Sequence, residues 1–293
     1  MCLIAFAIGG PDSCPFLLAS NRDEWWQRPT QPLAQWHTPR GQQVWSGRDE
    51  TAGGTWLGFN AQGRVAMLTN VRPAQHENAP QSRGRLVLEW LEGAELHATP
   101  TDFLEHHRPQ AYNGFNLVLG DVRFATWWWL SNREPSDTPA PALGAGWWGH
   151  PLAPGIYGLS NAHLDTPWPK ALALKAALAQ SRTLLANGTA ADWRAPLLQT
   201  LTRLPEADPT DPEPRWETTL ASPFVYAPAR RYGTRSSLLA RARRGPRGTA
   251  LELEEWSHPV ADAPLPASHS HWPLERSTQR VFSISTWGMP TSS

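Results

Sequence analysis

An excess of charge of either sign is missing from this chain: 26 Lys and Arg balance 26 Asp and Glu over 293 residues. With no net field, nothing draws it to a phosphate backbone or an anionic membrane surface, and nucleic acid is discounted as a partner. Cysteine is scarce, with Cys2 and Cys14 alone, too few for a disulfide framework. Long apolar runs are lacking as well. The opening run over residues 3–8 is too short for a membrane span and has no basic segment before it, so a cytoplasmic protein without a membrane span is expected. No Gly-rich phosphate loop and no Ser-His-Asp signature occurs. The histidine groupings are His269-Ser270-His271 with His258, and His106-His107; the first lies in a Pro-rich loop with no Cys or paired carboxylate, and neither a metal nor a cofactor is expected.

What the chain has in quantity is Trp, 17 residues, and Pro, 29 residues. Pro gathers near 134–154, 205–215 and 257–275, where it marks loops within what reads as one domain over 1–293. Trp gathers at Trp25-Trp26, Trp127-Trp128-Trp129 and Trp147-Trp148, rings suited to a core or to the wall of an apolar pocket.

Two apolar runs, residues 2–8 and 16–20, predict a first hairpin, and Asn60-Ala61-Gln62-Gly63 predicts the turn of a second one over 55–70. Ser82 caps a predicted helix with Leu86, Val87, Trp90 and Leu91 on one face, and a shorter helix fits 101–107. A third hairpin fits 115–130, followed by a strand over 155–160. Helices are predicted over 169–186, stopped by Asn187-Gly188, and over 193–204, stopped by Pro205. Strands return over 216–226, 232–243, 249–256 and 279–286, with an arginine-rich hairpin tip over 241–248. Strands first, helices in the middle and strands last predict an α+β fold with antiparallel sheets.

The residue with chemistry is Cys2. Removal of Met1 would leave its thiol beside a free α-amine whose ordinary pKa, about 7.7 to 8.0, lets it accept a proton near neutrality. One residue then supplies nucleophile and base. A cation such as Arg22 would lower the thiol further, while Cys14, in its Gly/Pro/Ser turn, is expected near the ordinary value of about 8.5. The alternative is a small apolar residue that opens a buried strand.

Met1-Cys2-Leu3-Ile4 followed by Asn21-Arg22-Asp23-Glu24, Gly54-Thr55-Trp56-Leu57-Gly58, Thr69-Asn70, Ser82-Arg83-Gly84, Asn113-Gly114-Phe115-Asn116, Leu159-Ser160-Asn161 and Tyr232-Gly233-Thr234-Arg235-Ser236-Ser237 resembles the NRDE family, also called the transport-and-Golgi-organisation family. The resemblance runs from Cys2 to the final strands. It implies the N-terminal-nucleophile hydrolase fold, a four-layer αββα sandwich of antiparallel sheets, and hydrolysis of an amide C–N bond in a small molecule. Carried over residue by residue, it makes Cys2 the nucleophile, gives Arg22 and Asp23 the task of orienting it, Asn70 and Asn161 the oxyanion, and Arg235 a polarising role. Asn21, Glu24, Thr55 and Trp56 are the candidate substrate contacts. In thiol members of that superfamily the Arg and Asp stand three apart, whereas here Arg22, Asp23 and Glu24 are consecutive, so either carboxylate can face Cys2. The resemblance also admits a non-enzymatic reading, a carrier for haem or lipid in a Trp-rich cleft.

Overall fold

A computed structural model describes residues 2–11, 14–71, 79–93, 95–135, 140–188, 191–205, 215–245, 248–260 and 269–287. The strands in chain order are β1 (Cys2–Ile8), β2 (Phe16–Trp25), β3 (Thr30–His37), β4 (Gln43–Asp49), β5 (Leu57–Asn60), β6 (Arg64–Asn70), β7 (Phe115–Asp121), β8 (Thr126–Ser131), β9 (Ala142–Gly144), β10 (Trp147–Pro151), β11 (Gly155–Leu159), β12 (Tyr226–Ala227), β13 (Tyr232–Gly245), β14 (Gly248–Ser257) and β15 (Thr278–Trp287). The helices are α1 (Gly84–Leu91), α2 (Pro100–His106), α3 (Pro169–Ala186), α4 (Ala195–Leu201) and α5 (Trp216–Ala221).

Both sheets are antiparallel throughout. The first runs β11-β1-β2-β13-β14-β15 with β12 beside β13, and the second runs β3-β4-β5-β6-β7-β8-β10-β9. Period-2 alternation sorts each strand's residues between two faces. From β1, Cys2, Ile4, Phe6 and Ile8 enter a core between the sheets, where they meet Leu57, Phe59, Val65, Met67, Trp127 and Trp129 of the second sheet. Leu3, Ala5 and Ala7 face the other way, into a layer built with Leu174 and Leu178 of α3 and Leu197 and Leu201 of α4. On the far side of the second sheet, Leu86, Trp90 and Leu91 of α1 and Phe103 of α2 cover Ala66, Leu117 and Leu119. The layer order is therefore helix, sheet, sheet, helix.

Several elements differ from the sequence reading. Strands β3 and β4 were not foreseen, because Thr30–His37 has an alternation broken by Pro32, which sits at a register shift. Residues 216–221 fold as α5 rather than as a strand; the Nζ of buried Lys170 donates to its Leu220 carbonyl at 2.7 Å and so caps its C-terminal end. The Pro-rich stretch near 134–154 carries the paired strands β9 and β10, with Trp147 buried against Phe115. Helix α1 starts at Gly84 with Arg83 before it, so Ser82 is not its cap. Residues 206–214 and 261–268 of the Pro-rich stretches near 205–215 and 257–275 lie outside the described residues, as does the tip of the 241–248 hairpin. Among the described residues no helix is long and apolar enough to cross a membrane.

Candidate active site

Register decides which side chains of Asn21-Arg22-Asp23-Glu24 share a face with Cys2. Cys2 lies opposite Arg22 and Leu3 opposite Asn21 in the β1–β2 ladder. Directly opposed residues of an antiparallel pair project to one side, which puts Arg22 and Glu24 on the inter-sheet face with Cys2. Asn21 is turned toward the helices: its amide donates to the carbonyls of Leu201 at 2.7 Å and Pro223 at 2.9 Å, and its Oδ1 accepts from Ser237 Oγ at 2.6 Å. These bonds clamp β2 to β13 and to the helical layer, so the side chain is spent on the fold. Asp23 shares that parity but sits at the strand end, where its Oδ1 accepts from Thr234 Oγ1 at 2.7 Å and the residue still borders the cleft described next.

That cleft has a volume of about 370 Å³, within the size range of small-molecule sites. Seven of the ten candidate residues line it: Cys2, Arg22, Asp23, Glu24, Thr55, Trp56 and Asn70. Arg28, Asp49, Ser82 and Arg83 line it too and were not assigned to the site from the sequence. The Arg22 guanidinium stacks 4.0 Å from the Trp56 ring and lies 3.6 Å from Glu24. Glu24 in turn lies 3.8 Å from Arg28, whose guanidinium holds Asp49 at 2.7 Å. A ladder of alternating charge thus follows one wall, while Arg22 Nη1 is buried with no hydrogen-bond partner. Arg83 comes from the opposite wall, donating to the Gly114 carbonyl at 2.9 Å.

Two glycine contacts build the rest of that wall. A Cβ on Gly54 would stand 2.6 Å from the carbonyl carbon of Gly84, so only glycine lets the segment before Thr55 meet the start of α1. A Cβ on Gly47 would stand 2.3 Å from the Trp56 ring, so its absence makes room for the indole beneath Arg22.

Burial dominates the titration of the site. It pushes the Cys2 thiol above the ordinary range, against the opposing pull of the chain's positive amino terminus and of Arg22, with Asp23 and Glu24 adding to the rise. The sequence-based expectation that Arg22 lowers the thiol is thus outweighed by desolvation. Asp23 is raised by burial as well, although Lys170, the amino terminus and Thr234 act in the other direction. Burial likewise holds Arg83 below its ordinary value. Cys14 is 2 % exposed and pushed up to about 11 by burial, not left near 8.5 in an open turn.

Asn161 and Arg235 stand apart from the cleft. The Asn161 amide donates to the Asn70 backbone carbonyl at 2.9 Å, so it positions the end of β6 rather than facing the cavity. Arg235 is the extra residue where the register of β13 against β2 shifts between Thr234 and Ser236. That bulge re-aims its side chain. Its Nη1 donates to the carbonyls of Trp25 and Trp26 at 3.2 and 3.0 Å, and it borders a smaller cavity of about 110 Å³ that Arg22 and Trp56 also line.

Two antiparallel sheets between helical layers, with Cys2 at the head of an inner strand, define an α+β protein of the four-layer αββα sandwich class. The chain belongs to the Transport and Golgi organisation 2 family, whose profile matches residues 1–252. The human Transport and Golgi organization protein 2 homolog is 33 % identical over 182 residues, which cover 58 % of this chain and 60 % of that protein. The Bos taurus homolog is 34 % identical over 186 residues with the same coverage. The chain thus spans about three-fifths of the length of these relatives. Among solved structures, a Caenorhabditis elegans ortholog of N-acylethanolamine-hydrolyzing acid amidase aligns with a TM-score of 0.44 at 10 % identity, covering 81 % of this chain and 92 % of its own.

Proposed function

We propose that this protein hydrolyses the amide C–N bond of a small acylated molecule, with Cys2 as nucleophile once Met1 is removed. The observation that carries the reading is the position of Cys2: of the inward residues of β1, Ile4, Phe6 and Ile8 are closed in the core, whereas Cys2 borders the cleft with Arg22, Asp23, Asn70 and Arg83. In the proposed reaction the thiol proton passes to the α-amine as sulfur attacks the amide carbon. The carbon–nitrogen bond breaks, and the leaving amine takes the proton from the α-ammonium. Water, deprotonated by the same amine, then cleaves the thioester and restores the thiol. Asp23, at the end of β2, holds the α-ammonium, and Arg22 steadies the thiolate across the ladder. The Asn70 amide donates to the oxyanion, a contact worth about 3 kcal/mol in a site shielded from water. A thiol raised by burial suits this scheme, because it rests protonated and ionises only as its proton moves to the adjacent base. Thr55, Trp56 and Glu24 face the substrate. The proposal sets the reaction in the cytoplasm, where free thiols persist; Cys2 and Cys14 are both free.

The carrier reading draws less support from the lining. Trp25 and Trp56 are its aromatic members, while the Trp127-Trp129 and Trp147 rings serve the cores. Arg22, Arg28, Arg83, Asp23, Glu24 and Asp49 make the walls charged, which suits a polar molecule better than a haem or a lipid chain. Turnover of N-acyl substrates by the chain lacking Met1, measured beside Cys2→Ala, tests the proposal. Activity abolished by Cys2→Ala supports it; saturable haem or lipid binding that survives Cys2→Ala, with no turnover, would replace it by the carrier.

A further inference from the structure

A second cluster of chemically capable side chains lies on the outer face of the second sheet, away from the cleft. Glu89 on α1, His97 in the segment after it and His107 at the end of α2 each present one ligand atom, and the three atoms lie within 4.8 Å of one another. His97 is 2 % and His107 8 % exposed.

Hydrogen bonding fixes which atoms are available. His107 Nδ1 lies 2.7 Å from the Phe103 carbonyl, which only accepts, so Nδ1 carries the proton and donates. Its Nε2 then points at Glu89 Oε2 in a very close contact. A lone pair and a carboxylate oxygen repel unless a cation lies between them, either a second ring proton or a metal ion. An imidazole that donates one nitrogen to a backbone carbonyl and offers the other is also the usual second-shell arrangement of a metal-bound histidine. The second independent sign is His97, whose Nδ1 is buried with no hydrogen-bond partner. Leaving such a group unpaired costs its full desolvation. The segment bearing it is held from below, where Arg64 donates to the Trp90 carbonyl at 3.1 Å and to the carbonyls of His97 and Ala98, and from the side, where Asp102 accepts from the Ala98 amide at 2.9 Å. The charged neighbours are Arg64 on the backbone of His97, Arg85, an exposed partner of Glu89 on its other oxygen, and Asp102 beside His106. The His106 ring centre is 5.2 Å from that of His97, but its Nδ1 is held by the Asp102 carbonyl at 2.8 Å, so it flanks the three ligands without joining them.

We propose that Glu89, His97 and His107 form a binding site for a divalent transition-metal ion of the zinc class that ties α1 to the end of α2. Two imidazoles and a carboxylate, with solvent in the fourth position, suit Zn²⁺. The sequence offered His106-His107 with no role; the fold brings Glu89 and His97, 18 and 10 positions before His107, to it.

The test uses the full chain carrying Cys2→Ser, which removes a competing thiolate, stripped with a chelator and titrated with zinc sulfate by calorimetry. One equivalent is expected to bind, with a raised melting temperature and shifted ring-proton signals of His97 and His107. Glu89→Gln, which keeps a hydrogen-bonding amide at that position, is expected to weaken binding at least about 100-fold, at or beyond the upper limit for loss of an outer-shell group. His97→Asn is expected to do the same, with circular dichroism reporting the fold of both. Absence of saturable binding in the parent, shifts confined to other histidines, or unchanged affinity in a folded Glu89→Gln chain would overturn the site.

Discussion

The two thiols are internal controls for each other, and their environments set a measurable ratio. Cys14 Sγ is enclosed against the Phe16 carbonyl at 3.6 Å, and burial pushes its pKa up to about 11. At pH 8 such a thiol is ionised to about one part in a thousand, whereas an unfolded one near 8.5 is ionised to about a quarter. Thiolate fraction alone therefore slows alkylation of Cys14 roughly 250-fold relative to the denatured chain, before its 2 % exposure slows it further. Cys2 is also raised by burial, yet it borders an open cleft and, in a chain lacking Met1, carries its own ammonium group beside the sulfur. Folded and urea-denatured protein are to be labelled with a small alkylating reagent at pH 8 and the two peptides quantified by mass spectrometry. We expect the folded-to-denatured ratio for Cys2 to exceed that for Cys14. In a chain retaining Met1, the Cys2 rate is expected to climb on the alkaline side of the ordinary thiol range, because burial raises it. Equal protection of both thiols, in a chain proven to lack Met1, would refute the reasoning and make Cys2 an inert core residue.

Three further outcomes follow from the same geometry. Gly54→Ala would drive a Cβ to 2.6 Å from the Gly84 backbone, which cannot yield as a flexible side chain can; overpacking of this kind costs about 1–3 kcal/mol and lowers the melting temperature by roughly 2–10 °C, and labelling of Cys2 should change as Thr55 and Arg83 shift. Arg22→Lys forfeits the planar stack on Trp56 and is expected to lower kcat about tenfold or more with the melting temperature nearly kept, since an ammonium cannot replace a stacked guanidinium; unchanged kcat would remove Arg22 from the mechanism. His258 is buried between Ser237 and Ser277, and burial holds its pKa at about 3, below an unfolded value of about 6.5. A pKa depressed in the folded state means stability that is full above about 6.5 and lost as pH falls toward 3, roughly 3 kcal/mol by pH 4. Urea unfolding at pH 7 and pH 4 should therefore show a shallower acid loss in His258→Gln than in the parent, and equal slopes would contradict the assignment.

Much of this architecture was legible because period and turn chemistry agree with the fold. The apolar runs of β1 and β2, the helix over Pro169–Ala186 with its Asn187-Gly188 stop, and the hairpins of β5–β6 and β7–β8 all follow from local patterns. Strand alternation alone divides Asn21 and Asp23 from Arg22 and Glu24, but which pair faces the inner core depends on register against Cys2, a nonlocal fact. The placement of Arg235 was beyond reach for the same reason, since a single-residue bulge in β13 carries no signature in Thr234-Arg235-Ser236. Arg83 lay within a noted segment without a role, because its approach to the cleft depends on the Gly54–Gly84 contact across 30 residues of chain. Cys14 was misjudged because the turn chemistry around it said nothing of the buried cluster it joins with Leu17, Leu178 and Trp193.

The central claim, a Cys2 nucleophile made competent by loss of Met1, is tested most directly by the intact mass of the protein quenched during turnover of an N-acyl substrate. The expected species lacks one methionine residue and carries one acyl group, mapped to Cys2 by peptide sequencing and lost on treatment with hydroxylamine. A chain that keeps Met1 throughout, or that turns over substrate with no acyl group on Cys2 under conditions where deacylation is limiting, would contradict the account.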